Sequence, residues 1–408
     1  MKKIAYTIWL EWLNSPILRG QVIEVLKKMG RRCLYDKFYL FAFQPLHRVI
    51  LRHREYCILS KELKDNNIIL ITIPSLVPPK FDWFNAKWYM IPIIFLQSFP
   101  ILLLLTFIKK IDILHCRSYP IMLAAITIKK INKNLKIIFD PRSPFPEENI
   151  TAGRWTEQSF TYKMWKYLEK RYLEESNVTI AIANTYVKHF RKISSQSNFV
   201  IVPNNVDVAK FISDNGIREN FRSKMGISDD EIVFAYSGSL GNHWNNPKVY
   251  AEFIIKLRTL NIKHCFLFIV PDIKELKYVF NQCGIKSDEY FAISADLPDV
   301  PKYLAMADLG LNLMEKEDIR VSIKTVEYLA MGLPIITNSK VLGAKEIIEQ
   351  YNVGLVIDDL ENIDLRKIEN IAKNKDELSL RCREVACRVF STDKIAKQYL
   401  EIYNEIIR

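Results

Sequence analysis

The sequence predicts an α/β protein of two Rossmann-like, doubly wound domains, and three observations lead there. Short apolar runs alternate with longer helical patterns along all 408 residues. Such alternation builds a parallel sheet with right-handed crossovers. Most of the runs are continuously apolar, as strands covered by helices on both faces must be. The chain is also too long for one ordinary core, and the rhythm occurs twice.

In the first half, strands are expected at KIAYTIW (3–9), RRCLY (31–35), NNIILITIP (66–74), IDILHC (111–116), LKIIFD (135–140) and VTIAIA (178–183). Helical patterns lie at 17–29, 88–110, 119–131 and 158–175. At IVPNNVD (201–207) a Pro-Asn-Asn turn follows a β-branched run, which predicts a first domain over 1–203 and a second over 204–390. No Gly/Ser linker separates them, so they are expected to face each other across a cleft. The second half repeats the pattern with strands at EIVFAYSG (231–238), CFLFIV (265–270), LGLNLM (309–314), LPIITN (333–338) and GLVID (354–358). In the closing segment, 391–408, Ile395, Tyr399, Tyr403 and Ile406 share a helical face. That helix is expected to cross back and pack near the first domain.

Composition narrows the class. A chain 49% hydrophobic and 25% charged is globular, not disordered. Its seven Cys lack CxxC or Cys/His spacing, which predicts buried thiols in a reducing compartment and no zinc site. The opening MKKIAYTIWLEWLNS is interrupted by Glu11 and reads as a first strand, not a signal peptide. The net charge of +12 is uneven: residues 1–200 hold 31 Lys and Arg against 15 Asp and Glu, the remainder 27 against 31. One half is therefore expected to meet an anionic surface such as a membrane. No helix-turn-helix, RRM-like or zinc-finger signature accompanies the charge, so nucleic acid is not expected. Residues 88–108 run 21 positions without a charge, between Lys87 and Lys109–Lys110, which is long enough for a transmembrane helix. Pro92, Pro100, Gln97 and Ser98 favour instead a packed helix whose exposed apolar face rests on a membrane.

Ligands of such folds bind outside the carboxyl ends of the strands, so polar groups just after strands are the candidates. SIKTVEYLAMGLPIITN (322–338) is the most informative stretch. Ser322 is placed to cap a helix, with Gly332 and Pro334 to stop it. The helix N-terminus offers unpaired amides and a partial positive charge to phosphate oxygens. Lys324 would add a full charge, and Glu327 would accept hydrogen bonds from vicinal ribose hydroxyls. The bland alternative is a capped helix with a surface Lys–Glu pair.

The pattern S-x-K-x-x-E-Y-L-A-x-G-L-P-I-I resembles the donor-site signature of family-four-like, GT-B-fold retaining glycosyltransferases of bacterial surface-polysaccharide loci. The resemblance extends to YSGSLG (236–241), DVPKYLAMADLGLNL (299–313), DILHCRSYP (112–120), DPRSPFPEE (140–148) and NSPILRGQVIEVLKKMG (14–30). It implies transfer of a sugar from a nucleotide diphosphate donor to a glycan acceptor, lipid-linked and at the cytoplasmic membrane face. No metal or other cofactor is implied. Amides at Gly238 and Ser239 and at Ser322 to Thr325 would hold the diphosphate, with Lys324, and Lys248 as a second cation. Residues 291–298 would line the base. Many members carry a Glu eight positions before the conserved one, where this chain has Ile319, with Glu315, Glu317 and Asp318 close by. On the acceptor side His115 and Arg117, which follow a strand, are the catalytic candidates, Arg117 as a cleft cation. Members of the resembled family often carry a His in this loop, usually where this chain has Arg117, and a structural His115 is the alternative. Arg19, Gln21, Asp140, Arg142 and Glu147 are acceptor-cleft candidates. Rival readings are a GT-B-fold nucleotide-sugar epimerase and a non-catalytic partner subunit. A dehydrogenase is disfavoured, because no GxGxxG follows the first strand.

Overall fold

The computed structural model describes residues 2–33, 37–78, 81, 85–195, 197–241, 245–361 and 363–407. The chain divides into two compact units, Met1–Pro203 with Ile395–Arg408, and Asn204–Lys394. Each is a parallel sheet wrapped by helices, which is the doubly wound class the sequence predicts.

The first sheet comprises β1 (Lys3–Trp9), β2 (Lys37–Pro45), β3 (Ile68–Ser75), β4 (Ile113–Arg117), β5 (Lys136–Asp140), β6 (Val178–Ala181) and β7 (Phe199–Ile201). Its order is β3-β2-β1-β4-β5-β6-β7. All ladders are parallel, with Tyr6 of β1 opposite His115 of β4. Strands β1, β4 and β5 are buried almost end to end because helices cover both faces, which explains their uninterrupted apolar sequence.

One expected strand moves. Arg31 and Arg32 end the Glu24–Arg32 helix, and the strand is KFYLFAFQP, with residues 34–36 of the sequence outside the described ones. The apolar face of that helix (Val25, Leu26 and Met29) carries the chain on to Arg32, while RRCLY lacks the length of apolar chain that KFYLFAFQP supplies. A short edge strand, β7, was not expected as a separate element.

The helix over residues 392–407 (Thr392–Ile407) returns to the first unit. Ile395, Ala396, Tyr399, Ile402 and Tyr403 join the same buried cluster as Ile4, Tyr6, Ile8 and Ile113. Ile406 packs against its rim. The i, i+4 spacing read in the sequence is the buried stripe.

The second sheet comprises β8 (Ile232–Ser237), β9 (His264–Ile269), β10 (Tyr290–Ile293), β11 (Leu309–Asn312), β12 (Ile335–Asn338) and β13 (Gly354–Ile357), in the order β10-β9-β8-β11-β12-β13. Strand β10 occupies the start of the segment expected to line a base. In both sheets the order reverses between the first and fourth strands, β1/β4 and β8/β11. That switch point is where diverging loops leave a crevice at the carboxyl edge.

Gly310 on β11 lies against the ring of Tyr328: a Cβ there would stand 2.5 Å from Cδ2. Gly310→Ala is therefore expected to displace Tyr328 and cost about 1–3 kcal/mol by overpacking. A fall in the thermal midpoint checks this, and an unchanged midpoint would show that the ring yields freely.

Candidate functional site

The switch point of the second unit brings two distant segments together. After β8 the chain turns at Gly238, whose φ of +130° suits a residue without a side chain. After β11 it reaches the signature helix, Ile323–Met331, which stops at Gly332 in the left-handed conformation, φ 74°. A Cβ on Gly238 would stand 3.5 Å from Lys324 Cε and 3.7 Å from its Nζ. Lys324 Nζ donates to the Tyr236 hydroxyl at 3.1 Å and to Asn245 Oδ1 at 3.4 Å, and lies 4.3 Å from the centre of the Tyr236 ring. Tyr236 in turn donates to the Ser239 carbonyl at 2.9 Å, holding the turn in shape. One turn along the helix, the Ser237 amide donates to the Tyr328 hydroxyl at 2.8 Å. The helix is thus joined to the end of β8 at two points.

Burial sets the electrostatics. Desolvation pulls the Lys324 ammonium down to about 7, against the opposing attraction of Glu327. Desolvation pushes the Glu327 carboxyl up to about 7, and Lys324 only partly offsets it. Both side chains keep part of their surface exposed. Among the described residues Glu327 makes no hydrogen bond or ion pair, so its oxygens are open acceptors. Among the described residues the Ile323 and Lys324 amides at the start of this helix have no backbone acceptor, and an anion placed there would meet those donors and the ammonium together.

The expected diphosphate cradle needs three corrections. The Gly238 amide already donates to the Ile269 carbonyl at 3.0 Å, because β9 extends its pairing one residue past β8. The Ser239 amide, next along, has no such partner among the described residues. Ser322 stands at the N-cap but does not cap with its side chain. Its hydroxyl is held instead by Asn312 Nδ2 at 3.1 Å and Thr325 Oγ1 at 3.0 Å. The Thr325 amide donates to the Ser322 carbonyl and its hydroxyl accepts from Asn312, so Thr325 is buried scaffold. Lys248 is exposed in the first turn of the Pro247–Leu257 helix, three residues beyond Asn245.

Of the carboxylates near Ile319, Asp318 is buried in an ion pair with Arg320 at 2.7 Å. Glu315 is exposed and accepts from Asn246 at 2.8 Å, while Glu317 is exposed.

The first unit gathers the acceptor-side candidates at the carboxyl ends of β1, β4 and β5. His115, expected as catalytic, is fully buried. Its Nδ1 lies 2.8 Å from the Tyr403 hydroxyl and its Nε2 3.4 Å from Asp140 Oδ2. Burial lowers its pKa in spite of the Asp140 hydrogen bond, so the ring is neutral, accepts from Tyr403 and donates to Asp140. A ring sealed on both nitrogens is a positioning group. Arg117 is likewise buried and committed, its Nε donating to both Glu11 oxygens at 2.9 and 3.0 Å. Burial would raise the Asp140 carboxyl, but Arg142 and His115 overcome it and hold the group down at about 2. Arg142, with φ 61°, reaches Asp140 at 3.6 Å and donates to Gln21 Oε1 at 3.3 Å.

Two acceptor-cleft expectations fall away from this group. Arg19 donates to Glu62 at 2.6 Å and Asn14 at 3.1 Å, on the side of the first helix that meets the His53–Lys64 helix. Glu147 is bound by Lys166 at 2.7 Å and stays ionised because His189 and Lys166 outweigh its burial.

Sequence reasoning missed Tyr236, Asn312, Glu11 and Tyr403. Tyr236 carried a signal: it sits two residues before Gly238 and so shares a strand face with it.

Two doubly wound units, each a parallel sheet wrapped by helices, are the architecture of the GT-B class. Residues 310–392 match the family described as Glucosyltransferase 3-like, C-terminal domain. N-acetyl-alpha-D-glucosaminyl L-malate synthase of Bacillus anthracis is 23% identical over 244 residues, 58% of this chain. The chain spans about three fifths of that relative's length, 61%. The fold superposes on a glycosyltransferase of Rickettsia africae with a TM-score of 0.71, 17% identity and coverage of 100% and 99% of the two chains. It superposes on Anabaena HepE in complex with UDP with a TM-score of 0.65, 12% identity and coverage of 99% and 100%. The fold is GT-B, and the resemblance to GT-B glycosyltransferases read from the signature helix stands.

A pH dependence follows. With a pKa of about 7, Lys324 loses its proton as pH rises above neutrality, and an anion bound beside it would draw that proton back. Affinity for UDP is expected to fall above about pH 7, by at most about tenfold per pH unit for one linked proton, with proton uptake on binding. Calorimetry in buffers of different ionisation enthalpy measures the uptake. Lys324→Met is expected to weaken binding and flatten the profile; a flat profile in the unaltered protein would contradict the reading.

Proposed function

We propose that the chain is a glycosyltransferase that moves a sugar from a nucleotide diphosphate donor to a lipid-linked glycan acceptor, in building a cell-surface polysaccharide. The observation that carries this is the meeting of Lys324 with the Gly238 turn, beside an unpartnered Glu327. The diphosphate lies across the Ser239 amide and the donor-helix terminus, and Glu327 accepts from the ribose hydroxyls. HepE, crystallised with UDP, with UDP and glucose and with UDP-glucose, lends support to a uridine nucleotide.

In the reaction the bond from sugar C1 to the β-phosphate oxygen breaks and the acceptor oxygen bonds C1, releasing its proton. Charge grows on the departing diphosphate. The donor-helix dipole, the Ser239 amide and a protonated Lys324 are aimed at that charge, which is where stabilisation lowers the barrier. Glu327 binds a part of the donor that does not react, so it holds geometry more than it drives the bond change. The resemblance implies retention at C1 and no metal. The Asp140, Arg142 and Gln21 group belongs to the acceptor side, with His115 fixing Asp140 from behind. The basic first half and the apolar Met90–Lys109 helix support work at the inner face of the plasma membrane.

Incubating the protein with a panel of nucleotide sugars and a membrane lipid extract, and measuring released nucleotide, tests the reading. Acceptor-dependent release with retained anomeric configuration is expected. An isomerised donor would indicate an epimerase, and binding without turnover an inactive partner subunit. Glu327→Gln is expected to weaken donor binding about 10–100-fold, the value of a hydrogen bond to a charged acceptor. Unaltered donor affinity in that variant would remove Glu327 from the site.

A further inference from the structure

The Met90–Lys109 helix is apolar on both sides, yet only 22% of its most apolar window is buried. Its inner stripe is Ile94, Ser98, Leu102 and Thr106, all buried at i, i+4 spacing. The Ser98 and Thr106 hydroxyls donate to the Ile94 and Leu102 carbonyls of the preceding turn, so they ask nothing of their surroundings. The opposite stripe, Ile93, Leu96, Pro100, Leu104 and Phe107, is exposed. Gln97 borders that stripe, but its amide is paired with the Leu76 backbone, accepting at 2.8 Å and donating at 3.2 Å. The polar groups of both faces are therefore internally satisfied.

That pairing ties the helix to a second exposed region. Leu76 is 72% exposed and directly follows Ser75, the last residue of β3. Ser75 is in register with Pro45, the last residue of β2, and the Leu46–Leu51 helix begins at the next residue. The β2–β3 edge therefore gathers Leu76, the first half of the long helix, and a tip bearing Ile50 and Leu51, which are 66% and 81% exposed. Residues 37–54 contain no acidic residue and present Arg48, Arg52 and Arg54 at that tip. Of these, Arg52 is paired with Glu55 and lies over the Trp12 ring. At the start of the long helix, Trp88, Tyr89 and Phe160 form an exposed aromatic cluster, with Trp88 and Phe160 5.3 Å apart edge to face. Aliphatic residues to enter acyl chains, aromatic residues for the headgroup level and cations for anionic headgroups are the three parts of an interfacial anchor.

We propose that this edge, the 46–54 tip with Leu76 and the outer stripe of the Met90–Lys109 helix, docks on a bilayer containing anionic lipid, with the helix lying in the plane of the interface. It rests on the membrane reading under Proposed function and specifies the surface. The helix does not span the bilayer, because its inner stripe is packed into the first unit.

Co-sedimentation with vesicles of phosphatidylcholine, alone or mixed with phosphatidylglycerol, tests this. The unaltered protein is expected to bind the mixed vesicles, to bind less with added salt, and to be washed off by alkaline carbonate. Ile50→Asp with Leu51→Asp, or Arg48→Glu with Arg54→Glu, is expected to weaken binding by at least about tenfold. Leu380→Asp, at an exposed leucine of the second unit, is the control and is expected to bind as before. UDP binding, measured in parallel, confirms that each variant is folded and separates this proposal from the donor reading. Equal binding to both vesicles, carbonate-resistant retention, or variants that bind normally would overturn the proposal. So would loss of a self-associated form in the Ile50 and Leu51 variant without any vesicle binding, which would assign the edge to a second copy.

Discussion

The approach of Lys324 to the turn after β8 is the contact on which the chemistry of the second unit depends. An ammonium group is most stable in water, and here the fold takes much of that water away. The Tyr236 ring and hydroxyl and the Asn245 amide oxygen return only part of what solvation would supply. Glu327, three residues on, is disfavoured in its charged form for the same reason. Such a pair is poorly satisfied in the free protein and better satisfied beside a ligand that brings negative charge and hydroxyl donors. Desolvation that is unfavourable without a ligand strengthens each interaction once one is present.

The first unit has the same strand order around its switch point and the opposite character. At the ends of β1, β4 and β5 the charges are matched within the unit, Arg117 with Glu11 and Asp140 with Arg142, and the neutral His115 donates to Asp140. Tyr6 and Tyr403 close the network from the core side. Most of these groups are paired, although among the described residues Asp140 Oδ1 is buried without a hydrogen bond and has Arg142 at 3.6 Å as its ionic partner. One topology thus supports an under-satisfied Lys–Glu pair in one unit and a mostly paired polar network in the other, the difference lying in which side chains follow the strands.

What was legible in the sequence reflects the range of each interaction. Strands buried on both faces announce themselves by composition alone, so twelve-residue neighbourhoods suffice for β1, β5 or β8. RRCLY failed because the cue that ends a helix is weak there, and KFYLFAFQP begins only a few residues later. Lys324, Glu327 and Gly238 were legible because helix starts and glycine turns are local features. Glu11 as the partner of Arg117 was not, being 106 residues away, nor was the commitment of Arg19 to Glu62. For such pairs, whether a charged side chain is open or already paired is decided by tertiary contacts, and no short window of sequence contains both partners.

The return of the helix over residues 395–407 to the first unit has a consequence for synthesis on the ribosome. His115 meets Tyr403 across 288 residues, and Ile395, Tyr399 and Ile402 complete a core whose other members come from the first strands. The second unit, by contrast, is continuous in sequence. The half that begins first therefore finishes last. Its central cluster stays open on one side while the whole second unit emerges, and the closing of so distant a contact carries the entropy of a very long loop. During that interval the incomplete first unit leaves apolar surface uncovered, of the kind chaperones bind, and His115 gains its Tyr403 partner only when the helix docks.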